Sequence, residues 1–253
     1  MSDLRVDQLV DEGSDSGGAL RVRIDAPARR NALTLGTVEH LHALLAEYPA
    51  ATLLLGSTTS DIFSAGADLD IDDERRARLS DLLYACYERI VTRPGIVIAV
   101  VEGAAVGGGA QLTAAADVRT ISAGARWRWV GPGHGLAVGA WILPYLFGRS
   151  RGLDLTLTSR WLGAEEAVAG GYAARIDDDP WQRAYDLAGA MGRVDAAALT
   201  RVKQVATSPG LLERLASERQ ANRASWSGSA PSAREASRDG RRFGLDGSQP
   251  DDI

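Results

Sequence analysis

Ile96-Val97-Ile98-Ala99-Val100-Val101, followed by Glu102-Gly103-Ala104-Ala105-Val106-Gly107-Gly108-Gly109-Ala110-Gln111-Leu112, is the stretch that decides how this chain folds. The first six residues are apolar and mostly β-branched, bounded by Pro94-Gly95 and Gly103, which is the pattern of a buried strand. The second half starts a helix. Consecutive glycines where a strand turns into a helix let the backbone approach a ligand without Cβ atoms in the way. The first amides of such a helix have no partner within it, so they are able to bind an anion or a developing oxyanion. The plainer alternative is that the glycines let the helix pack close to the sheet. A nucleotide loop fits worse, because no Gly-x-Gly-x-x-Gly can be laid over these residues and no Lys-Ser/Thr follows them.

Working outward, 253 residues with 45% hydrophobic content can bury a full core and read as one domain with a terminal extension. The formal net charge of -5 argues against a nucleic-acid partner, which calls for a clustered basic excess. The single cysteine, Cys86, cannot close an internal disulfide and stands among Leu82, Leu83 and Ile90 at helical spacing, as a core residue does. A reducing, cytoplasmic setting is the expectation. Met1-Ser-Asp-Leu-Arg-Val-Asp7 lacks the apolar region of an export signal, and the longest apolar run is broken by Glu102, so no membrane span is expected either. Lys203 is the single lysine among many arginines.

Strand and helix alternate along the chain. After an acidic, glycine-rich segment at 11–18, alternation predicts a strand over 19–25 with Leu20, Val22 and Ile24 on one face. Thr34 is placed to cap a helix through Ala46, and 52–55 reads as a strand. A small-residue turn, Phe63 to Leu69, leads into a helix over about 76–92 whose stripe is Leu79, Leu82, Leu83, Cys86 and Ile90. Beyond the central helix, strands are expected at 117–122 and near 173–176, and helices over 139–147 and 152–158. From Trp181 onward the pattern is helical, over about 181–206 and 211–225, and the stretch from Ser227 is polar. The alternation implies an α/β protein with parallel strands joined by helical crossovers.

Four stretches, in order and at consistent spacing, carry a likeness: Pro27-Ala-Arg-Arg-Asn31-Ala32-Leu33; Phe63-Ser-Ala-Gly-Ala-Asp-Leu69; Val101-Glu-Gly-Ala-Ala-Val-Gly-Gly-Gly109; and Leu157-Thr-Ser-Arg160 with Ala164-Glu-Glu-Ala167. Together they resemble the crotonase superfamily of enoyl-CoA hydratases, enoyl-CoA isomerases and their relatives. The resemblance implies a ββα spiral core over about 1–179 and a C-terminal helical region, 180–253, that in this family builds trimers or hexamers. It implies an acyl-CoA or enoyl-CoA thioester as ligand, in fatty-acid or acyl-CoA metabolism, with no metal and no other cofactor. By motif match, the amides of Ala65 and Gly108 form an oxyanion hole for the thioester carbonyl. Ala32, in the turn Asn31-Ala32-Leu33, and Ala67, Asp68 and Leu69 match where the family grips the adenine end of CoA. Arg29 or Arg30 would meet its phosphates, or is a solvated turn residue. Asp68 would pair with a ligand or cap the segment that follows.

The departures are as informative. Hydratases place one glutamate on the helix after the glycines and a second in the loop after the next strand; here those positions fall on Gln111 and Gly131. Neither residue can serve as a general acid or base, a role worth typically ~10²–10⁴-fold per group. Standard hydration is therefore not expected, and two classes stand side by side. One is an enzyme with non-standard groups, such as an isomerase, decarboxylase or thioesterase; the other is a non-catalytic acyl-CoA binding or carrier protein. Gln111 would orient a water or the thioester, or is an amide satisfied within its helix. His134, beside the second vacant position, is the titratable group there suited to acid–base work, or a hydrogen-bonded loop residue. Trp127, Trp129 and Trp141 shape an acyl pocket or fill the core. His40 and His42, on an early helix, read as solvated.

Overall fold

The structure, a computed structural model, describes residues 3–9, 19–207 and 209–226; the segment 11–18 and the stretch from Ser227 lie outside the described residues. Strand β1 (Leu4–Leu9) pairs antiparallel with β2 (Ala19–Ile24). Then follow α1 (Leu35–Glu47), β3 (Thr52–Ser57), β4 (Ile62–Ser64), α2 (Asp73–Thr92), β5 (Val97–Val101), β6 (Ala104–Val106) and α3 (Gly108–Ala115). Next come β7 (Val118–Ile121), β8 (Arg126–Arg128), α4 (Leu143–Phe147), α5 (Arg149–Thr158), β9 (Leu162–Gly163) and α6 (Ala164–Ala169). The chain continues with α7 (Pro180–Gly192), α8 (Ala196–Ala206) and α9 (Pro209–Trp226).

The strands sort into a five-stranded sheet, β1-β2-β3-β5-β7, and a four-stranded one, β4-β6-β8-β9. Within the first, β2, β3, β5 and β7 run parallel; in the second, β4, β6 and β8 do. Each turn of the chain thus leaves one strand in each sheet before its helix: β3-β4-α2, then β5-β6-α3. This repeated ββα unit explains why the central run is apolar on both faces. Leu53, Leu55, Val97, Ala99 and Val101 face Val38, Leu41, Leu83 and Ile90, while Leu54, Ile98 and Val100 face Trp181, Ala184 and Tyr185 of α7.

Several elements differ from the sequence expectations. β1 hides in a polar stretch because its outward residues are charged: Asp7 pairs with Arg21 (3.0 Å) and Arg23 (3.1 Å), and Arg5 with Asp25. The strands of the second sheet, two or three residues long, are too short to show a period. The expected helix over 139–147 is confined to Leu143–Phe147, and Gly139 takes a left-handed φ of 87° that a right-handed helix cannot include. No strand forms at 173–176; only Ile176 bridges to Ile121. His40 and His42 are half-buried rather than solvated. Cys86 is fully buried, and burial pushes its thiol up to about 12.

The helices after residue 179 are integral to the molecule. α7 covers the second face of the large sheet, and α9 lies on α2. α8 is pinned by Lys203, whose Nζ donates to Ile90 O (2.8 Å), Gly95 O (3.1 Å) and Asp117 Oδ2 (2.8 Å). Among the described residues no helix is long and apolar enough to cross a membrane.

Candidate active site

The turn Pro27–Arg29 and the residues after it are locked by Asn31. Arg30 and Asn31 are both left-handed, at φ 53° and 54°, a conformation asparagine tolerates better than most residues. The buried Asn31 side chain accepts from Ala26 N (2.8 Å) and donates to Ser57 Oγ (2.7 Å) and Ile62 O (3.1 Å). Asn31 therefore holds the turn against β3 and β4. The loop after β4 is tied to the same turn: Ser64 Oγ donates to Asn31 O (2.7 Å), Leu33 N to Gly66 O (2.7 Å) and Asp68 N to Leu33 O (3.0 Å).

That single parallel bridge between Leu33 and Ala67 decides which amide is free. Leu33 uses the neighbours of Ala67, so the N–H of Ala67 itself points away from Leu33. Among the described residues it has no acceptor. The Ala65 amide, by contrast, donates to Arg30 O at 3.0 Å, so the expectation that Ala65 supplies an oxyanion donor is corrected. Gly108 N, the first amide of α3, likewise has no acceptor among the described residues. Gly66, at φ +95°, lets the two turns meet: a Cβ there would stand 2.9 Å from Val106 O and 3.5 Å from Gly108 N.

Ala67 and Gly108 both line a cavity of about 230 Å³ between α2, α3 and α9. Leu69, Asp68, Gln111 and His134 line it too, as does the Ala65 side; Ala32 and Gly131 do not. Asp68 is not a helix cap. Its Oδ1 accepts from Asp70 N (3.0 Å), and the cap of α2 is Asp72, accepting from Arg75 N (2.8 Å). Arg29 is engaged by Asp3 (2.5 Å), whereas Arg30 is exposed and makes no ion pair among the described residues.

Gln111 is buried, and its Oε1 accepts from Gly139 N (3.1 Å) and Trp141 Nε1 (2.8 Å). Its amide holds the 139–141 loop in place. Gly131 is packed tight: a Cβ there would meet Leu136 O at 2.5 Å and Val138 N at 2.7 Å. His134 sits half-buried in a 3-10 turn, Pro132–His134, with Nδ1 unpartnered; burial, then nearby Arg76, holds its imidazole below the ordinary value. Trp127, Trp129 and Trp141 are core residues, and none lines the cavity.

The cavity wall also brings in residues that the sequence did not single out: Arg76, Tyr84 and Tyr87 from α2, and Asn222 and Trp226 from α9. Arg76 lies over the Trp226 ring at 4.8 Å and bonds Asp73 Oδ1 at 3.0 Å. Behind Tyr84, the buried Glu218 accepts its hydroxyl proton at 2.6 Å. A helical stripe, Leu211, Leu215, Glu218 and Asn222, was the available signal, since a carboxylate and an amide continue an apolar face.

The enoyl-CoA hydratase/isomerase family profile matches residues 14–182. This chain belongs to that family. A probable enoyl-CoA hydratase of Mycobacterium tuberculosis (strain CDC 1551 / Oshkosh) is 30% identical over 205 residues, covering 77% of this chain and 81% of the relative. The human mitochondrial methylglutaconyl-CoA hydratase is 29% identical over 210 residues, covering 74% of this chain and 59% of its own length. Among solved structures, an enoyl-CoA hydratase/isomerase from Xanthobacter autotrophicus Py2 superposes with a TM-score of 0.82 at 21% identity, covering 97% and 95% of the two chains. One described as a putative enoyl-CoA hydratase/isomerase, from Bordetella parapertussis, gives 0.80 at 22% identity, covering 99% and 100%. These two carry the fold, an α/β crotonase core with a helical C-terminal region.

Proposed function

We propose that this family member binds an acyl-CoA thioester with its carbonyl oxygen on the amides of Ala67 and Gly108. The observation that carries the proposal is the pairing of two acceptor-free amides, brought together across Gly66, at the wall of a largely apolar cavity. Donors fixed in place before charge develops stabilise an enolate oxygen without reorganisation. The turn at Ala32 and the Asp68-Leu69 backbone receive the adenine end, and Arg30, rather than the engaged Arg29, meets a phosphate. The ligand is a CoA thioester, and no further cofactor is proposed.

Standard hydration is not part of the proposal, because Gln111 has its oxygen committed and Gly131 has neither a side chain nor room for one. Calorimetry tests the binding: an acyl-CoA such as butyryl-CoA is expected to bind more tightly than free CoA. Equal affinity, or none for either, would mean that the glycine turns serve packing alone.

A further inference from the structure

Glu218 is 5% exposed, and nothing in the capture of a thioester carbonyl requires a carboxylate there. Burying that charge is costly unless donors surround it. Here they do: the Tyr84 hydroxyl at 2.6 Å, Gly139 N at 3.1 Å and Trp141 N at 2.8 Å, with the Ala140 amide also directed at it. Tyr84 carries this contact to the cavity, which it lines, and its hydroxyl also accepts from Asn222 Nδ2 at 2.9 Å. Its ring meets Tyr87 edge-on at 5.4 Å, and the Tyr87 hydroxyl donates to Gly108 O at 3.2 Å. The hydroxyl that touches the carboxylate thus stands one aromatic ring from the residue whose amide faces the thioester oxygen.

We infer that Tyr84 and Glu218 are the proton-transfer pair of this site, Tyr84 as the catalytic residue and Glu218 as the residue that positions it and takes its proton. The inference rests on the thioester-binding proposal above. In the step, the Cα–H bond of the thioester breaks and its proton passes to the Tyr84 oxygen, while the hydroxyl proton passes to Glu218. The electron pair moves into the enolate, whose oxygen is held by the Ala67 and Gly108 amides. While the enolate stands, the hydroxyl exchanges its proton with solvent, and the reverse transfer returns that proton to carbon. One such pair without a second carboxylate moves a proton but does not add water.

The surroundings of Glu218 suit it to this task. Burial pushes its carboxyl up to about 7, against the lowering effect of its hydrogen bonds, close to the pH at which a general base works best. From α2 it faces Tyr84 and Tyr87, whose hydroxyls burial raises; from α3, the neutral Gln111; from the 139–141 loop, backbone amides. Its α9 neighbours Arg214 and Arg219 are turned to Trp141 O (3.1 Å) and Asp81 (3.2 Å).

The test is exchange of the α-protons of butyryl-CoA in D2O, followed by NMR, with calorimetric titration of the same thioester. The wild type should exchange them at a rate that climbs with pH, because the ionised carboxylate is the acceptor, and levels off above about 7. Tyr84→Phe should lower the rate about 100-fold or more, and Glu218→Gln should remove the climb. Binding without exchange, or a wild-type rate in Tyr84→Phe, overturns the pair; an unchanged pH profile in Glu218→Gln overturns the part given to Glu218. Absence of binding overturns the thioester-binding proposal and the pair with it. If a variant fails to fold, the wild-type profile decides: a rate that stays flat or falls as pH rises overturns the inference.

Discussion

At the residue scale, Gln111 and Gly131, the positions the resemblance matches to the hydratase glutamates, have structural duties of their own. Gln111 is the hub of the 139–141 loop, and Gly131 lies where any Cβ would strike the backbone of Leu136 and Val138. Restoring glutamates should therefore not restore hydration: Gln111→Glu with Gly131→Glu is expected to lower the melting temperature and leave crotonyl-CoA unhydrated, as followed by the enoyl absorbance. The wild type should be equally inert, and a turnover of about 1–10³ per second would overturn this view of both positions. The start of α3 at Gly108 was legible in the sequence because a glycine run after an apolar strand marks the turn from strand to helix. Ala65 was misplaced because a motif string shows which residues are small but not which amide is spent; the Leu33–Ala67 bridge settles that, and a bridge between residues 34 apart has no local signature. Glu218 and Tyr84 were missed for a related reason. Each looks ordinary on its own helix, and their contact exists only where α9 meets α2.

At the element scale, α1 was read from its cap and apolar face, α2 from its periodicity, α3 from the glycine run before it, β2 from alternation, and β3 and β5 from continuous apolar runs. The second sheet escaped because its strands are too short for a period, and α8 gave no sign of the role of Lys203. The single lysine is 8% exposed and forms an ion pair with Asp117 at 2.8 Å, which also accepts from Val97 N at 2.8 Å. Burial pulls the Lys203 amine down and the Asp117 carboxyl up, and each partner opposes the shift of the other. Removing one member of such a pair leaves the other charged and unpaired, which costs far more than the pair itself contributes. Lys203→Met should lower stability by about 3–5 kcal/mol, read as a lower midpoint in urea with an unchanged slope. A midpoint within error of the wild type would mean that Asp117 finds solvent when its partner is lost, and that α8 is held by packing alone.

At the scale of the whole molecule, the ββα repeat builds two mostly parallel sheets, and α9, far downstream in sequence, adds Asn222 and Trp226 to the cavity wall. The resemblance divides the chain near residue 179, yet α7 packs on the large sheet and α9 lines the cavity, so the C-terminal helices are built into the core. Among the residues left outward on and between them are three valines. Val194, Val202 and Val205 are 52%, 67% and 86% exposed, the last two on one face of α8, and Leu157 on α5 is 69% exposed. A lone exposed valine needs no explanation, but the pair Val202 and Val205 on one face of α8 marks a surface suited to association. The crotonase resemblance supplies the partner, further copies of this chain, and the expected assembly is a trimer or a hexamer. Sedimentation at micromolar concentration should show one of these species, and Val202→Arg with Val205→Arg should shift it toward smaller mass without changing the melting curve of the fold. A wild type that sediments as a single chain would show that these valines are simply exposed, and that the helical region serves this molecule by closing its cavity rather than by joining copies.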